Sequence, residues 1–427
     1  MYELGIINGR IYQGKDFKPL NIYVSEGEIR EISKEKHECK EVIDATKRMV
    51  LPGLIDPHVH MALNTGNDIS ADDFVSGSKT AAYGGVTTII DFVKPISHEN
   101  EWEEALKERL EEAQDSCIDY SFHATAGEFT GNPEALKKLC KGSGIPSVKL
   151  FTTYSESKRR NSYQVIEQFF DPEMVVLVHC EEESLIKRQW KEVKTYEKSR
   201  PVMAERAAAM KIGEIAEKTG HKAYIVHISS GSTLDVLKLN FRSLLGKTLF
   251  LESSPHYFAL SDMKLSNTDG QLYLVNPPLR GGKELMRLRN SIHLVDTIGS
   301  DHCPYHTHQK MVSDNASLVP KGFGGIEPSF PIMFNLFGEK IIPLYTSKPA
   351  QIFGLKNKGE LRVGKDADIM IYDSTLSVTI KETHSNGDYS VYEGLKIRGK
   401  VETTIARGKV IMHQGEFYGG QGRFIRR

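Results

Sequence analysis

The chain has 427 residues, a formal net charge of −1 and ordinary apolar and charged fractions of 39% and 26%. That length suits two domains, or one large barrel with an addition, and a substantial core. The charge balance argues against nucleic-acid or anionic-membrane partners, and no apolar run is long enough to span a bilayer.

The opening "MYELGIINGR" has no basic segment followed by an apolar one, so no signal peptide is expected. Five cysteines without a CxxC pair fit free thiols and a cytoplasmic protein. Cys180 and Cys303 lie beside candidate ligands, and small apolar filling is the simpler role for each.

Residues 1–50 carry β-branched runs punctuated by Asn-Gly and Glu-Gly, which predicts short strands and turns. From residue 51 the texture changes. Strand-like runs such as "GVTTIIDFV", "VVLVHC" and "AYIVHIS" alternate with helical stretches such as "NEWEEALKERLEEAQ" and "STLDVLKL". This alternation predicts parallel strands with crossover helices. Residues 51–355 have room for a closed (β/α)8 TIM barrel. An open doubly wound sheet is the alternative, without a GxGxxG fingerprint to support it. After about residue 355, "GELRVGKDADIMIYD" and "KVETTIARGKVIMHQGEF" return to the strand texture. The fold class expected is therefore α/β: a barrel over 51–355 and a small β-sandwich domain built from 1–50 and 356–427. The tail from about 415, "YGGQGRFIRR" at its end, is expected as either a disordered segment or an extended arm on a neighbouring subunit.

The chemistry sits where the predicted strands end, the face that carries active sites in such barrels. "LPGLIDPHVHM" places His58 and His60 two apart, hence on one side of an extended segment. That pair suits a metal ion, or is only a polar strand end. His179 ends "VVLVH", His227 ends "AYIVH", and Asp301 follows "LVDTIGS". Several metal-capable side chains ending separate apolar runs together point to a metal centre. Lys149 is the single charge in "IPSVKLFTTY". A lysine in such a run is either paired across the barrel or neutral and nucleophilic. A neutral amine can take up carbon dioxide and become a carboxylate-like bridge between two metals.

The set "DPHVH", "VKLFTTY", "LVHCE", "IVHIS" and "GSDHCP" resembles the cyclic amidohydrolases of the amidohydrolase superfamily, most of all the hydantoinase and dihydropyrimidinase branch. The likeness extends over nearly the whole chain. It implies hydrolytic opening of hydantoin or dihydropyrimidine rings to N-carbamoyl amino acids. It also implies two divalent metals per chain, zinc or else manganese or cobalt, bridged by a hydroxide and by Lys149 as N6-carboxylysine. His58, His60 and Asp301 would hold one metal, and His179 and His227 the other. Asp301 would shuttle the proton and Tyr154 would stabilise the oxyanion. Homotetramers are common in that branch. Asn276 in "LVNPPLR" and Lys321 in "PKGFGGIEP" fall in segments that contact substrate there, where serine and asparagine respectively are usual. Asparagine at 276 is more typical of dihydroorotases. Those enzymes, however, have an arginine where this chain has Ala62, so a neutral ring is expected. Dihydroorotase, allantoinase and a non-catalytic dihydropyrimidinase-related scaffold are the alternatives; a single-metal deaminase is the more distant one.

Met61, Leu63 and Phe92 follow strand ends and are candidate pocket walls. His123 and His302 are candidates for orienting the ligands, and His256 is read as structural.

Overall fold

The computed structural model describes residues 1–66, 68–381 and 383–427. The chain begins in a sheet: β1 (Tyr2–Tyr12), β2 (Phe17–Ser25), β3 (Glu28–Ser33), β4 (Cys39–Asp44) and β5 (Met49–Pro52). Eight short parallel strands then form a nearly closed barrel: β6 (Leu54–Asp56), β7 (Val86–Phe92), β8 (Asp119–Thr125), β9 (Ser147–Phe151), β10 (Val175–His179), β11 (Lys222–Ile225), β12 (Leu249–Ser253) and β13 (Thr297–Ile298). Each of β6 to β9 and β12 is buried along its whole length. Strands covered by helices outside and side chains inside have no solvent face, so they read as continuous apolar runs rather than alternations.

The strand order is sequential, β6 through β13. The seam between first and last strand is made just beyond their ends. Val59 bridges His302, the Asp301 amide donates to the His58 carbonyl at 3.0 Å, and the His60 amide donates to the His302 carbonyl at 2.9 Å. Closure of the barrel thus brings the HxH segment beside Asp301, although some 240 residues of chain separate them.

The chain returns to the first sheet with β14 (Ile369–Thr379), β15 (Lys396–Ala406), β16 (Lys409–His413) and β17 (Glu416–Phe417). The junction is β14 antiparallel to β5, and the sheet order is β17-β16-β15-β14-β5-β1-β2-β3 with β4 on β1. Ile6, Ile11, Ile22, Val24, Val50 and Ile369 are among the residues of its own core, separate from the barrel core.

The C-terminal segment, expected as a disordered stretch or an arm on a neighbouring subunit, has a definite course in this structure. It runs back over its own barrel: Tyr120 donates to the Arg423 carbonyl at 3.1 Å, and the Ile425 amide donates to Tyr120 at 2.7 Å. The Arg427 guanidinium donates to Ser121 and Ser147 at 3.0 and 2.7 Å and to the Phe122 carbonyl. Unfilled hydrogen-bonding groups at the N-terminal ends of β8 and β9 give the basic tail its partners. Among the described residues no helix is long and apolar enough to cross a membrane.

Candidate metal centre

One cavity of about 610 Å³ opens over the C-terminal ends of the barrel strands. His58, His60, Lys149, Tyr154, His179, His227, Asn276 and Asp301 all line it. Four of its residues hold left-handed backbone without being glycine: Ala62, Tyr154, His227 and Asp301, with φ of 46°, 73°, 38° and 53°. Such conformations cost about 1–3 kcal/mol each and tend to cluster where function demands them. Gly299 meets a different requirement, since a Cβ there would lie 2.7 Å from His58 Cβ and 2.9 Å from Glu252 Oε2.

His58 and His60 present Nε2 to the same Asp301 oxygen at 3.3 and 3.1 Å. Burial alone would raise the Asp301 pKa, but the charge and hydrogen bonding of His58 and His60 outweigh it and hold it below the usual carboxylate range. Ligand atoms of these three residues lie within 4.8 Å of one another. Across the cavity His179 Nδ1 faces His227 Nε2 at 2.9 Å. Burial depresses His179 to about 4, partly opposed by Glu181, and pushes His227 well down, with His179 and Lys149 adding to it. Both rings are therefore neutral at pH 7, the form that donates a lone pair.

Lys149 is 3% exposed and has no ion pair or hydrogen bond at Nζ among the described residues. Its ammonium stands 5.4 Å from the Phe92 ring centre and 5.5 Å from that of Phe151. Burial pulls it down to about 8, although Glu252 and Asp301 oppose the shift. Of the two roles open from sequence, the paired lysine is not the one the structure contains. His227 Nδ1 is likewise buried without a partner. Neutral imidazoles, one carboxylate and a lysine able to lose its proton form a donor set that fits divalent metal ions.

Two of the four rings, those of His58 and His179, are oriented from behind, as ligating histidines usually are. Glu252 accepts from His58 Nδ1 at 2.7 Å, from the His227 amide at 2.9 Å and from Tyr224 Oη at 2.7 Å. Glu181 accepts from His179 Nε2 at 2.7 Å and pairs with buried Arg200. Asp56 accepts from the His58 and Ser300 amides, both at 3.1 Å. The sequence reading passed over Glu252, Glu181 and Arg200. The signal that flagged Lys149, a lone charge in an apolar run, is also present in "LFLESS".

The remaining expected residues divide. Tyr154 lies against His179, ring centres 4.9 Å apart, with the Arg200 guanidinium over its face at 4.9 Å. Burial raises its pKa, which keeps the phenol protonated. Asn276 accepts from Tyr196 Oη at 2.6 Å. Leu63, Phe92, Ala62 and Lys321 line the cavity, and Phe92 stacks on His60 at 5.0 Å. Met61 does not. It is fully buried, its sulfur packs against Gly77, and its amide donates to Asp91 at 2.8 Å. Neighbours along an extended segment point to opposite sides, so a residue after cavity-facing His60 points into the core.

His123 donates and accepts beneath the site, at Ser147 Oγ (2.7 Å) and the Pro57 carbonyl (3.1 Å), and so supports the residue before His58. His302 pairs with Asp72 at 2.9 Å. His256, read as structural, is fully buried against Tyr257 and Phe323. Cys180 and Cys303 are buried thiols whose pKa burial raises.

The sequence profile of the amidohydrolase family matches residues 49–411. A D-phenylhydantoinase of Escherichia coli is 30% identical over 419 residues, covering 91% of this chain and 89% of the relative. A dihydropyrimidinase from Brevibacillus agri superimposes with a TM-score of 0.93 at 27% identity, covering 100% of this chain and 99% of that one. A D-hydantoinase from a Bacillus species superimposes with a TM-score of 0.93 at 26% identity over the same shares. The barrel and the site residues lie within residues 49–411, and the chain belongs to the amidohydrolase family.

Proposed function

We propose that the protein is a metal-dependent cyclic amidohydrolase that opens hydantoin or dihydropyrimidine rings to N-carbamoyl amino acids. The observation that carries this reading is Lys149: a buried lysine without a counter-ion, facing two pairs of cavity-lining histidines and Asp301. His58, His60 and Asp301 would hold one cation, and His179 and His227 the other. Lys149, carboxylated by carbon dioxide, would join them. Zinc suits the donors, and manganese or cobalt would be accepted by the same set.

When bound, the two cations would polarise the ring carbonyl and lower the pKa of the attacking water. The chain's own groups do the rest. Asp301, ionised because His58 and His60 hold its pKa down, takes the proton from the attacking water. It then delivers that proton to the ring nitrogen as the C–N bond breaks. Tyr154 donates its hydroxyl hydrogen to the carbonyl oxygen as charge develops there. Asn276 holds the ring by hydrogen bonding at its amide. Phe92 and Leu63 keep the ring face dry. Ala62 supplies no cation at its side of the cavity.

The reading is tested with metal-loaded protein on hydantoin, 5-phenylhydantoin, dihydrouracil, allantoin and dihydroorotate. Turnover of the first three with little on dihydroorotate supports it. Dominant turnover of allantoin or dihydroorotate would move the enzyme to those activities. A protein that purifies without stoichiometric metal and turns over none of the five would be a scaffold. A cytoplasmic homotetramer is part of the same proposal, read from the resemblance and checked by light scattering and fractionation.

A further inference from the structure

The cavity wall carries more charge than the proposed chemistry uses, and most of it is already neutralised. Arg109 pairs with Asp91 and Glu112, and Lys94 pairs with Glu108. Asp68 accepts from the Gln309 amide at 3.3 Å. Besides Lys149, two cavity-lining cations, Arg159 and Lys321, have no acidic partner among the described residues.

Lys321 is held firmly. Its Nζ donates to the Ala316 carbonyl at 2.6 Å and to the Val319 carbonyl. An ammonium has three donors, so one hydrogen is left for the cavity. The loops around it are tied by a second lysine. Buried Lys310 donates to the carbonyls of Leu274, Pro320 and Gly322 at 3.0, 2.8 and 2.9 Å, joining the segment of Asn276 to that of Lys321. Lys321 Nζ lies 5.4 Å from the ring centre of Tyr196, whose hydroxyl holds Asn276. Arg159 reaches the same cavity from the loop after β9, its guanidinium 5.9 Å from the Phe151 ring centre.

This is an expensive place for an unpaired ammonium. Burial, with Arg200 nearby, pulls Lys321 down to about 7. A carboxylate placed beside it would keep the proton on the amine, and a desolvated charged pair is stronger than an exposed one. The cavity, at about 610 Å³, also leaves room beyond a bare five- or six-membered ring.

We propose that the pocket selects cyclic amides that carry a carboxylate at the end of a one- or two-carbon side chain, rather than directly on the ring as in dihydroorotate, with Lys321 as the principal anion contact and Arg159 as the second. The proposal rests on the cyclic amidohydrolase reading and names its substrate class. It puts anion recognition on the Asn276–Lys321 wall, while Ala62, two residues after the HxH pair, carries no charge.

The test compares hydantoin-5-acetic and hydantoin-5-propionic acids with their primary amides, which match them in size and differ in charge. The acids should exceed the amides in kcat/KM by about tenfold, the worth of one charge-assisted contact, carried mainly by KM. Lys321→Met should bring that ratio toward one, whereas Lys321→Arg should keep most of it, which a packing role would not. Arg159→Met should lower the ratio by a smaller factor. Equal turnover of acid and amide by an enzyme that opens neutral rings overturns the anion subsite and leaves cyclic amide hydrolysis standing. If no ring opens, calorimetric binding of the same acid and amide decides: tighter acid binding supports the subsite and equal binding overturns it. The absence of turnover then counts against the parent reading alone.

Discussion

Among the described residues two clusters bring three metal-capable side chains together, one at each end of the barrel. At the upper end stand His58, His60 and Asp301; at the lower, Asp119, Asp366 and Asp368, also with oxygens within 4.8 Å of one another. Their surroundings differ. Lys358 Nζ sits among the three aspartates, 2.6 Å from Asp119, 2.8 Å from Asp366 and 2.6 Å from Asp368. Arg407 reaches Asp119 at 3.1 Å and Arg423 reaches Asp366 at 3.0 Å. Burial would lower the Lys358 pKa, but the three carboxylates outweigh it and raise it. The lower cluster is a closed ionic joint between the barrel, the terminal sheet and the tail. Beside the upper one, Lys149 and the imidazole nitrogen His227 Nδ1 have no partner among the described residues. Closeness of donor atoms alone does not make a metal site; lone pairs left uncommitted do.

Substitutions can break this contrast at either end. Asp301→Asn keeps the shape and removes the proposed proton carrier, so kcat should fall by about a thousandfold; near-normal turnover would assign the proton transfer to another group. Lys149→Ala should abolish loading of two metals per chain, and an alanine variant with two metals by elemental analysis would refute the bridge. Lys358→Met leaves three carboxylates against two partly exposed arginines. Breaking a buried ionic group in this way costs about 3–5 kcal/mol. Denaturant unfolding should register that loss while metal per folded chain stays constant. A loss of metal without a loss of stability would reverse the roles given to the two clusters.

Smaller effects sharpen the upper site. Tyr154→Phe removes the proposed donor to the developing oxyanion, and kcat should drop about a hundredfold with KM little changed. A change confined to KM would make Tyr154 a wall and nothing more.

His256 tests the buried imidazoles by pH. Its ring nitrogens are both buried without partners among the described residues, and burial depresses its pKa to about 4. An unfolded histidine takes up its proton near pH 6.5. The unfolded state therefore binds more protons between those values, and stability is full above about 6.5 and declines as pH falls toward 4. His256→Phe should flatten part of that acid decline in denaturation curves measured from pH 7 to 4. An unchanged slope would show that this ring does not contribute.

The sequence by itself determined which strands end in metal-capable side chains. Period-two spacing put His58 and His60 on one side, and apolar runs closed by His179 and His227 marked strand ends without reference to any distant residue. Lys149 stood out because a charge inside an apolar strand demands an explanation that local sequence already contains. The tertiary structure decided everything that depends on a partner far along the chain. It turned Met61 into the core, because the segment alternates about a cavity whose position only the closed barrel fixes. It set Glu252 behind His58, across 194 residues. It also folded the basic tail onto its own barrel and set Lys358 among three aspartates. Strand periodicity is a property of neighbours, whereas ion pairs, seams and docked tails exist only once separate segments have been brought together and desolvated.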